Sequence, residues 1–359
     1  MAARLVDPAS GTARTDVVVT VRGERIEDVQ PAARFRPRAG DRVYDLGDAT
    51  LIPGLVDAHV HLTIGGPPPT AAAAALRAGI TTVVDLGART TRVLRVRDSL
   101  TADDAVASPR VLAAGLWIGA KDGVCEFGGI GISGGVEAFV ARVRENVAAG
   151  ADIIKVCVTG WPALAVSHPD SVELSGPILA AIVEEAHRAG RRVVAHAIGR
   201  EGVRRALDAG VDGLAHAALL NDALVARMRE GGVWMVPTLA SLTADDTSAA
   251  GRGLVAAVAL AHRAGVVLVY GTDGGVLPHG GHAQEAAALV AAGISPAEIL
   301  RAATTNAARA LGLGDRLGAI RPGYAADLVA VDGDPLRDAT ALARPVFVMA
   351  RGRVARSDR

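Results

Sequence analysis

The chain has little of what announces several protein classes. Aromatic residues make up 3% of its 359 positions, too few to build the stacking platforms that hold single-stranded nucleic acids. Neither charge predominates: Lys and Arg number 38, and so do Asp and Glu. That balance leaves no basic footprint for nucleic acid. With two cysteines, Cys125 and Cys157, no disulfide framework is expected. No run reaches the roughly 18 uninterrupted apolar residues of a membrane-spanning helix. The opening MAARLVDPASG lacks the apolar stretch of a secretory signal. These absences predict a soluble cytoplasmic protein with no nucleic-acid and no membrane partner. They leave self-association into a homo-oligomer open.

What is present is an aliphatic chain, 50% hydrophobic and 21% charged, which supplies a sizeable core and argues against disorder. Both ends read as short strands with turns. DVVVTVRGERIEDVQ looks like two strands joined at Arg22-Gly23-Glu24, and ADLVAVDGDP and PVFVMARGRVAR are β-rich. Residues 1–50 and 318–359 are therefore expected to join into one small β domain, of sandwich type. Residues 51–317 alternate apolar runs with helical patterns. Candidate strands are Leu51–Asp57, Thr81–Leu86, Arg110–Ala114, Asp152–Val158, Arg192–Ala197, Gly213–Ala217, Val233–Thr238 and Val266–Thr272. Several intervening helices end in Ala-Gly, and glycine just past a helix takes the left-handed cap conformation at no Cβ penalty. Eight strands alternating with helices predict a (β/α)8 TIM-like barrel. An open doubly wound sheet is the runner-up, but no Gly-X-Gly-X-X-Gly follows the first strand.

Catalytic groups of such a barrel cluster at the C-terminal strand ends. The first strand ends in His59 and His61, two residues apart and so facing the same side. The fourth strand carries Lys155, the fifth ends in His196, the sixth in His216 and the eighth in Asp273. Singly, His196 or His216 is better read as a satisfied core histidine, and Asp273 as a turn residue. Lys155, flanked by Ile153, Ile154 and Val156, would bury an amine, which is costly unless paired, neutralised or modified. All six at strand ends together point to a metal centre. Cys157, on the Lys155 strand face, reads as a small core residue. His187 and His262 close helices in Ala-His-Arg-Ala-Gly contexts and read as solvated caps. His279 stands six residues past Asp273 on a Gly-flanked loop and is the candidate substrate-binding side chain. His282, His168, Lys121, Trp161 and Arg200 are weaker candidates.

The PGLVDAHVH segment, YGTDGG, ADIIKVCVTG and the ending GAIRPGYAADLVAVDGDPL together resemble the amidohydrolase superfamily over nearly the whole chain. Within it, the chain is most similar to the Xaa-Pro dipeptidase and imidazolonepropionase-like branch. The resemblance implies two divalent metal ions, most often zinc. His59, His61 and Asp273 would hold one, and His196 and His216 the other. Lys155 would carry carbon dioxide as a carbamate bridging both. Asp273 would be catalytic, moving a proton between a metal-bridging hydroxide and the leaving amine. The expected reaction is hydrolysis of an amide in a short peptide, such as an Xaa-Pro dipeptide, or in a small cyclic amide. The alternatives are altered chemistry on the same fold (deaminase, dehydratase or other lyase) and a catalytically inactive binding protein. The short Leu239–Gly265 connection predicts a fairly open site.

Overall fold

Alternating apolar residues near the N-terminus become strands β1 (Ala2–Asp7), β2 (Thr12–Arg22), β3 (Arg25–Pro31) and β4 (Thr50–Pro53) in the computed structural model, which describes residues 1–102, 107–126, 129–161, 170–243 and 249–358. Strands and helices then alternate: β5 (Leu55–Val60), α1 (Pro68–Arg77), β6 (Ile80–Asp85), α2 (Arg92–Ala102), β7 (Arg110–Ala113) and α3 (Val136–Ala148). They continue with β8 (Ile154–Cys157), α4 (Gly176–Arg188), β9 (Val193–Ala197), α5 (Arg200–Ala209), β10 (Gly213–His216), α6 (Asp222–Glu230) and β11 (Trp234–Val236). Helices α7 (Leu239–Thr243), α8 (Ala249–Arg263), α9 (His282–Ala291), α10 (Pro296–Arg301) and α11 (Ala307–Ala310) precede β12 (Leu328–Val331), β13 (Pro345–Ala350) and β14 (Arg353–Ser357). Among the described residues no helix is long and apolar enough to cross a membrane.

The middle of the chain is a TIM-barrel-like α/β body. Its strands form two parallel arcs, β5-β6-β7 and β8-β9-β10-β11. A parallel bridge between Ile118 and Val156 links β7's extension to β8. On the other side lies the expected eighth strand, 266–272. It is not a regular strand but bonds to both neighbours: Val269 N to Met235 O at 2.8 Å, Ala58 N to Tyr270 O at 2.9 Å and Asp273 N to His59 O at 2.8 Å. The arc strands are buried almost throughout, as expected of parallel strands covered by helices. All five glycines after the Ala-Gly helix ends, Gly79, Gly150, Gly190, Gly210 and Gly265, have φ between 70° and 91°.

Strands from both chain ends form one seven-stranded sheet in the order β14-β13-β12-β4-β1-β2-β3. Two facing sheets were expected; the described strands instead pair edge to edge. The sheet curls, because the edge strand β3 bonds back to the segment before β12, with Ile26 N to Tyr324 O and Gly323 N to Ile26 O both at 2.8 Å. Curling lets one sheet enclose its own core of Leu5, Val17, Ile26, Leu51, Leu328, Phe347 and Met349. The run Leu51–Asp57, expected as one barrel strand, divides at Gly54: β4 joins the terminal sheet and β5 the body. A Cβ on Gly54 would lie 2.1 Å from the Thr81 hydroxyl, so the crossing requires glycine.

Candidate metal centre

The expected ligands sit on or just past buried strands, whose aliphatic residues fix their direction. His59 is the fifth residue of β5 and His61 lies just beyond it. Lys155 is on β8, His196 on β9, His216 closes β10 and Asp273 follows the irregular eighth segment. All six are at most 7% exposed. His59 Nε2 is 3.4 Å from Lys155 Nζ and 3.5 Å from Asp273 Oδ1. His61 Nε2 is 3.3 Å from the same oxygen. The His196 and His216 rings are 4.6 Å apart, and His216 is 5.3 Å from His59.

The donors fit a divalent metal. His59, His216 and Asp273 each offer an atom, and these atoms lie within 4.8 Å of one another. This trio crosses the two groups expected from the sequence. Asp273 Oδ1 faces two imidazole nitrogens yet makes no hydrogen bond, and the buried His59 Nδ1 makes none either. Three histidines have one ring nitrogen engaged and the other left over. His61 Nδ1 donates to Gly87 O at 3.0 Å, and His196 Nε2 to Gly160 O at 3.2 Å. His216 Nδ1 meets Thr238 Oγ1 at 2.7 Å. A carbonyl only accepts, so His61 and His196 carry a proton at the engaged nitrogen, and in the neutral ring the other nitrogen is the lone-pair donor that a metal needs.

The electrostatics agree. Burial, followed by the Lys155 charge, brings His196 down to about 3. Burial likewise holds His59 and His216 well below the ordinary imidazole range. These rings are neutral donors. Burial lowers the Lys155 amine to about 7, opposed by Asp273. Burial pushes Asp273 up, but His61, Lys155 and Ser241 outweigh it and hold the carboxyl below its usual range. The backbone is strained here. His216, Ala217, Thr238 and Asp273 have φ of 71°, 50°, 48° and 60°. His and Asp tolerate this region, whereas β-branched Thr238 is a true outlier.

Several residues at the site were not singled out from the sequence. Asp57 accepts from Thr272 Oγ1 at 2.6 Å, Thr272 N at 3.0 Å and His59 N at 3.2 Å, tying β5 to the Asp273 segment. Asp85 accepts from Leu62 N at 2.7 Å and Gly87 N at 3.0 Å. Ser241 Oγ donates to Asp273 Oδ2 at 3.2 Å. The signal for the two aspartates was the one that marked Lys155: a charge inside a buried apolar strand must be satisfied. Two tryptophans flank the histidines: Trp117, which the sequence did not single out, and Trp161, one of its weaker candidates. Trp117 is 5.4 Å from His61, and Trp161 is 5.1 Å from His216 and 5.8 Å from His196.

His279 is half-buried, with Nε2 3.2 Å from Ile64 O, so it braces the loop after β5. His282 is scaffold, with Nε2 2.9 Å from Leu342 O. His187 and His262 do lie in last helical turns, but they pair with Asp212 at 2.8 Å and Glu298 at 3.3 Å. Lys121 and Arg200 are exposed, and His168 lies outside the described residues. Cys125 and Cys157, expected unpaired, are joined in a disulfide with Cα atoms 6.2 Å apart. The loop after β7 folds across the face of β8, a proximity that a separation of 32 residues does not announce.

Parallel strands that end in buried histidines, a lysine and an aspartate define an α/β protein with a metal-type cluster at its strand ends. The amidohydrolase family profile matches residues 50–355, and the chain belongs to that family. A solved Xaa-Pro dipeptidase with methionine bound in its active site superposes with a TM-score of 0.87 at 26% identity, covering 98% of both chains. An uncharacterised Mycobacterium tuberculosis protein is 33% identical over 344 residues, 88% of each chain. Ochratoxinase of Aspergillus niger is 33% identical over 234 residues, 60% of this chain and 48% of the relative. The chain thus matches about half the length of that curated relative.

Proposed function

We propose that the chain is a metal-dependent hydrolase of C–N bonds. Its substrate is a short peptide, with an Xaa-Pro dipeptide as first candidate, or a small cyclic amide. The observation that carries this reading is the convergence of buried imidazoles on Asp273 and Lys155. Likeness to an Xaa-Pro dipeptidase over nearly the full length supports the peptide class. His59, His61 and Asp273 would hold one divalent ion, and His196 and His216 the other; nitrogen and oxygen donors favour zinc. Such ions, when bound, lower the pKa of a water and polarise the substrate carbonyl.

Burial favours the neutral Lys155 amine, the form that adds to carbon dioxide. Nζ bonds to the carbon and gives up a proton, leaving an anionic carbamate ligand where a buried cation would have stood. Asp273, held ionised, takes the proton of the attacking water and returns it to the leaving nitrogen. The C–N bond breaks and the hydroxyl stays on the carbonyl carbon. His279 contacts the substrate from the loop after Asp273. Residues 51–317 act as a (β/α)8 catalytic barrel, with 1–50 and 318–359 as the accessory β domain.

Elemental analysis and a panel of dipeptides and cyclic amides test the reading. About two zinc-like ions per chain are expected, lost together with turnover in Lys155→Ala. Fewer than one bound ion, with turnover indifferent to strong chelators, sinks the hydrolase. Two ions with no hydrolysis across the panel shifts the reading to altered chemistry.

A further inference from the structure

Helix α9 carries one carboxylate in an alanine-rich stretch, and that residue, Glu285, is fully buried. Among the described residues no cation hydrogen-bonds to it. Its Oε1 accepts from Leu239 N at 3.0 Å and its Oε2 from Ala240 N at 2.7 Å. These N–H groups open the short turn of α7, where backbone donors lack intrahelical partners. A buried carboxylate is a costly way to satisfy two backbone amides. A polar contact to solvent would suffice if capping were its whole purpose.

What the turn carries explains the cost. Thr238, immediately before it, meets His216 Nδ1 through its hydroxyl at 2.7 Å. Ser241, inside it, donates to Asp273 Oδ2 at 3.2 Å. The Ser241 hydroxyl also lies 2.9 Å from the Thr238 backbone carbonyl, so its one proton is shared between that carbonyl and Asp273, and Ser241 is tied to the Thr238 backbone. Thr238 holds its hydroxyl in place only by adopting a left-handed φ of 48°, a conformation that persists when surrounding bonds over-determine it. Helix α9 is itself fixed: His282 Nε2 reaches Leu342 O at 2.9 Å, and Tyr270 Oη donates to His282 O. The connection that leaves Asp273 therefore returns, twelve residues later, to clamp the turn that orients both Asp273 and His216.

We propose that Glu285 is a positioning residue for the metal centre, acting through Thr238 on His216 and through Ser241 on Asp273. The inference rests on the metal-centre reading above. Neighbours that orient ligands are worth roughly 10–100-fold in metal affinity. Glu285 contributes in that range without touching a ligand. Glutamine at this position keeps the shape but turns an amide donor toward a backbone donor, which breaks one of the two bonds.

The test uses the full chain stripped of metal and titrated with cobalt(II), followed by its visible absorption. The proteins are wild type, Glu285→Gln, the pair Thr238→Val with Ser241→Ala, and the triple variant. Glu285→Gln should weaken cobalt binding about 10–100-fold and shift the visible band while unfolding remains cooperative. In the background lacking both hydroxyls, the same change should have little further effect on affinity, since residues acting through one path are not additive. Equal weakening in both backgrounds would mean that Glu285 only caps a turn, and the proposal falls. Unchanged affinity in Glu285→Gln overturns it as well. Wild-type protein that binds no cobalt defeats the metal reading itself, and this proposal with it. Should Glu285→Gln not fold, Glu285→Asp, which retains the charge but shortens its reach, is read by the same cycle.

Discussion

The terminal sheet and the parallel-stranded body are built from the same aliphatic residues, yet they bury different polar groups. The sheet encloses Leu5, Ile26, Leu51, Phe347 and Met349 and buries the carboxylate Asp327, which accepts from Arg351 N at 2.7 Å and lies 3.5 Å from the Arg110 guanidinium. The body buries Asp57, His59, Lys155, His216, Asp273 and Glu285 at one end of its strands. Burial pushes Glu285 up to about 8 and Asp57 up to about 6, a burden that the sheet carries at Asp327, also pushed up by burial. The contrast teaches a division of labour: the sheet contributes packing, and the body spends packing on holding reactive groups out of water.

That division can be broken from either side. Asp273→Asn should leave the fold intact and cut turnover by about 10²–10⁴, the usual worth of a general acid–base group. Metal content must be measured beside the rate. Near-normal turnover at full metal removes Asp273 from the chemistry. In the sheet, Phe347→Ala should cost about 3–5 kcal/mol of stability through an unfilled core, while kcat per folded molecule stays unchanged. Denaturant melts with active-site titration read both quantities, and a fall in kcat would show the regions to be coupled. Stripping metal should lower the thermal midpoint of the body; a ligand at 100 times its Kd stabilises by about 2.7 kcal/mol. An unchanged midpoint would mean that the site is formed without help from ions. The smallest effect is expected of His279→Ala, a several-fold rise in KM at constant kcat, the pattern of lost uniform binding. Identical kinetics would leave His279 as a loop brace on Ile64.

The sequence reveals the site better than its supports. His59 and His61 are two apart at the end of an apolar run, and Lys155 stands inside one, so the local pattern places them on or just past buried strands. The lysine signal is sharper than its context suggests, because only two of the 38 basic residues are lysines. Thr238, Ser241 and Glu285 look like ordinary loop and helix residues. Their importance arises from hydrogen bonds spanning 22, 32 and 45 to 46 residues, which no local pattern encodes. The passage from terminal sheet to body at Gly54 was hidden for a related reason. LIPGLVD is continuous apolar sequence, and the Thr81 hydroxyl that forbids a side chain there comes from another strand. The short Leu239–Gly265 connection, expected to leave the site open, folds into α7 and α8, and α7 provides the hydroxyl that meets Asp273.

The left-handed residues at the strand ends have a consequence for anyone selecting hardier variants. Strained positions of this kind cost on the order of 1–3 kcal/mol each, and His216, Ala217, Thr238 and Asp273 all lie within one end of the body. The easiest gains in heat resistance are therefore next to the chemistry. Glycine at 217 would relax the backbone beside His216, and a screen that rewards survival alone will find it. A screen that also demands turnover should refuse it, because the released backbone no longer aims the imidazole. Heat tolerance and catalysis in this chain draw on the same few torsion angles, and laboratory evolution should register them as competing traits.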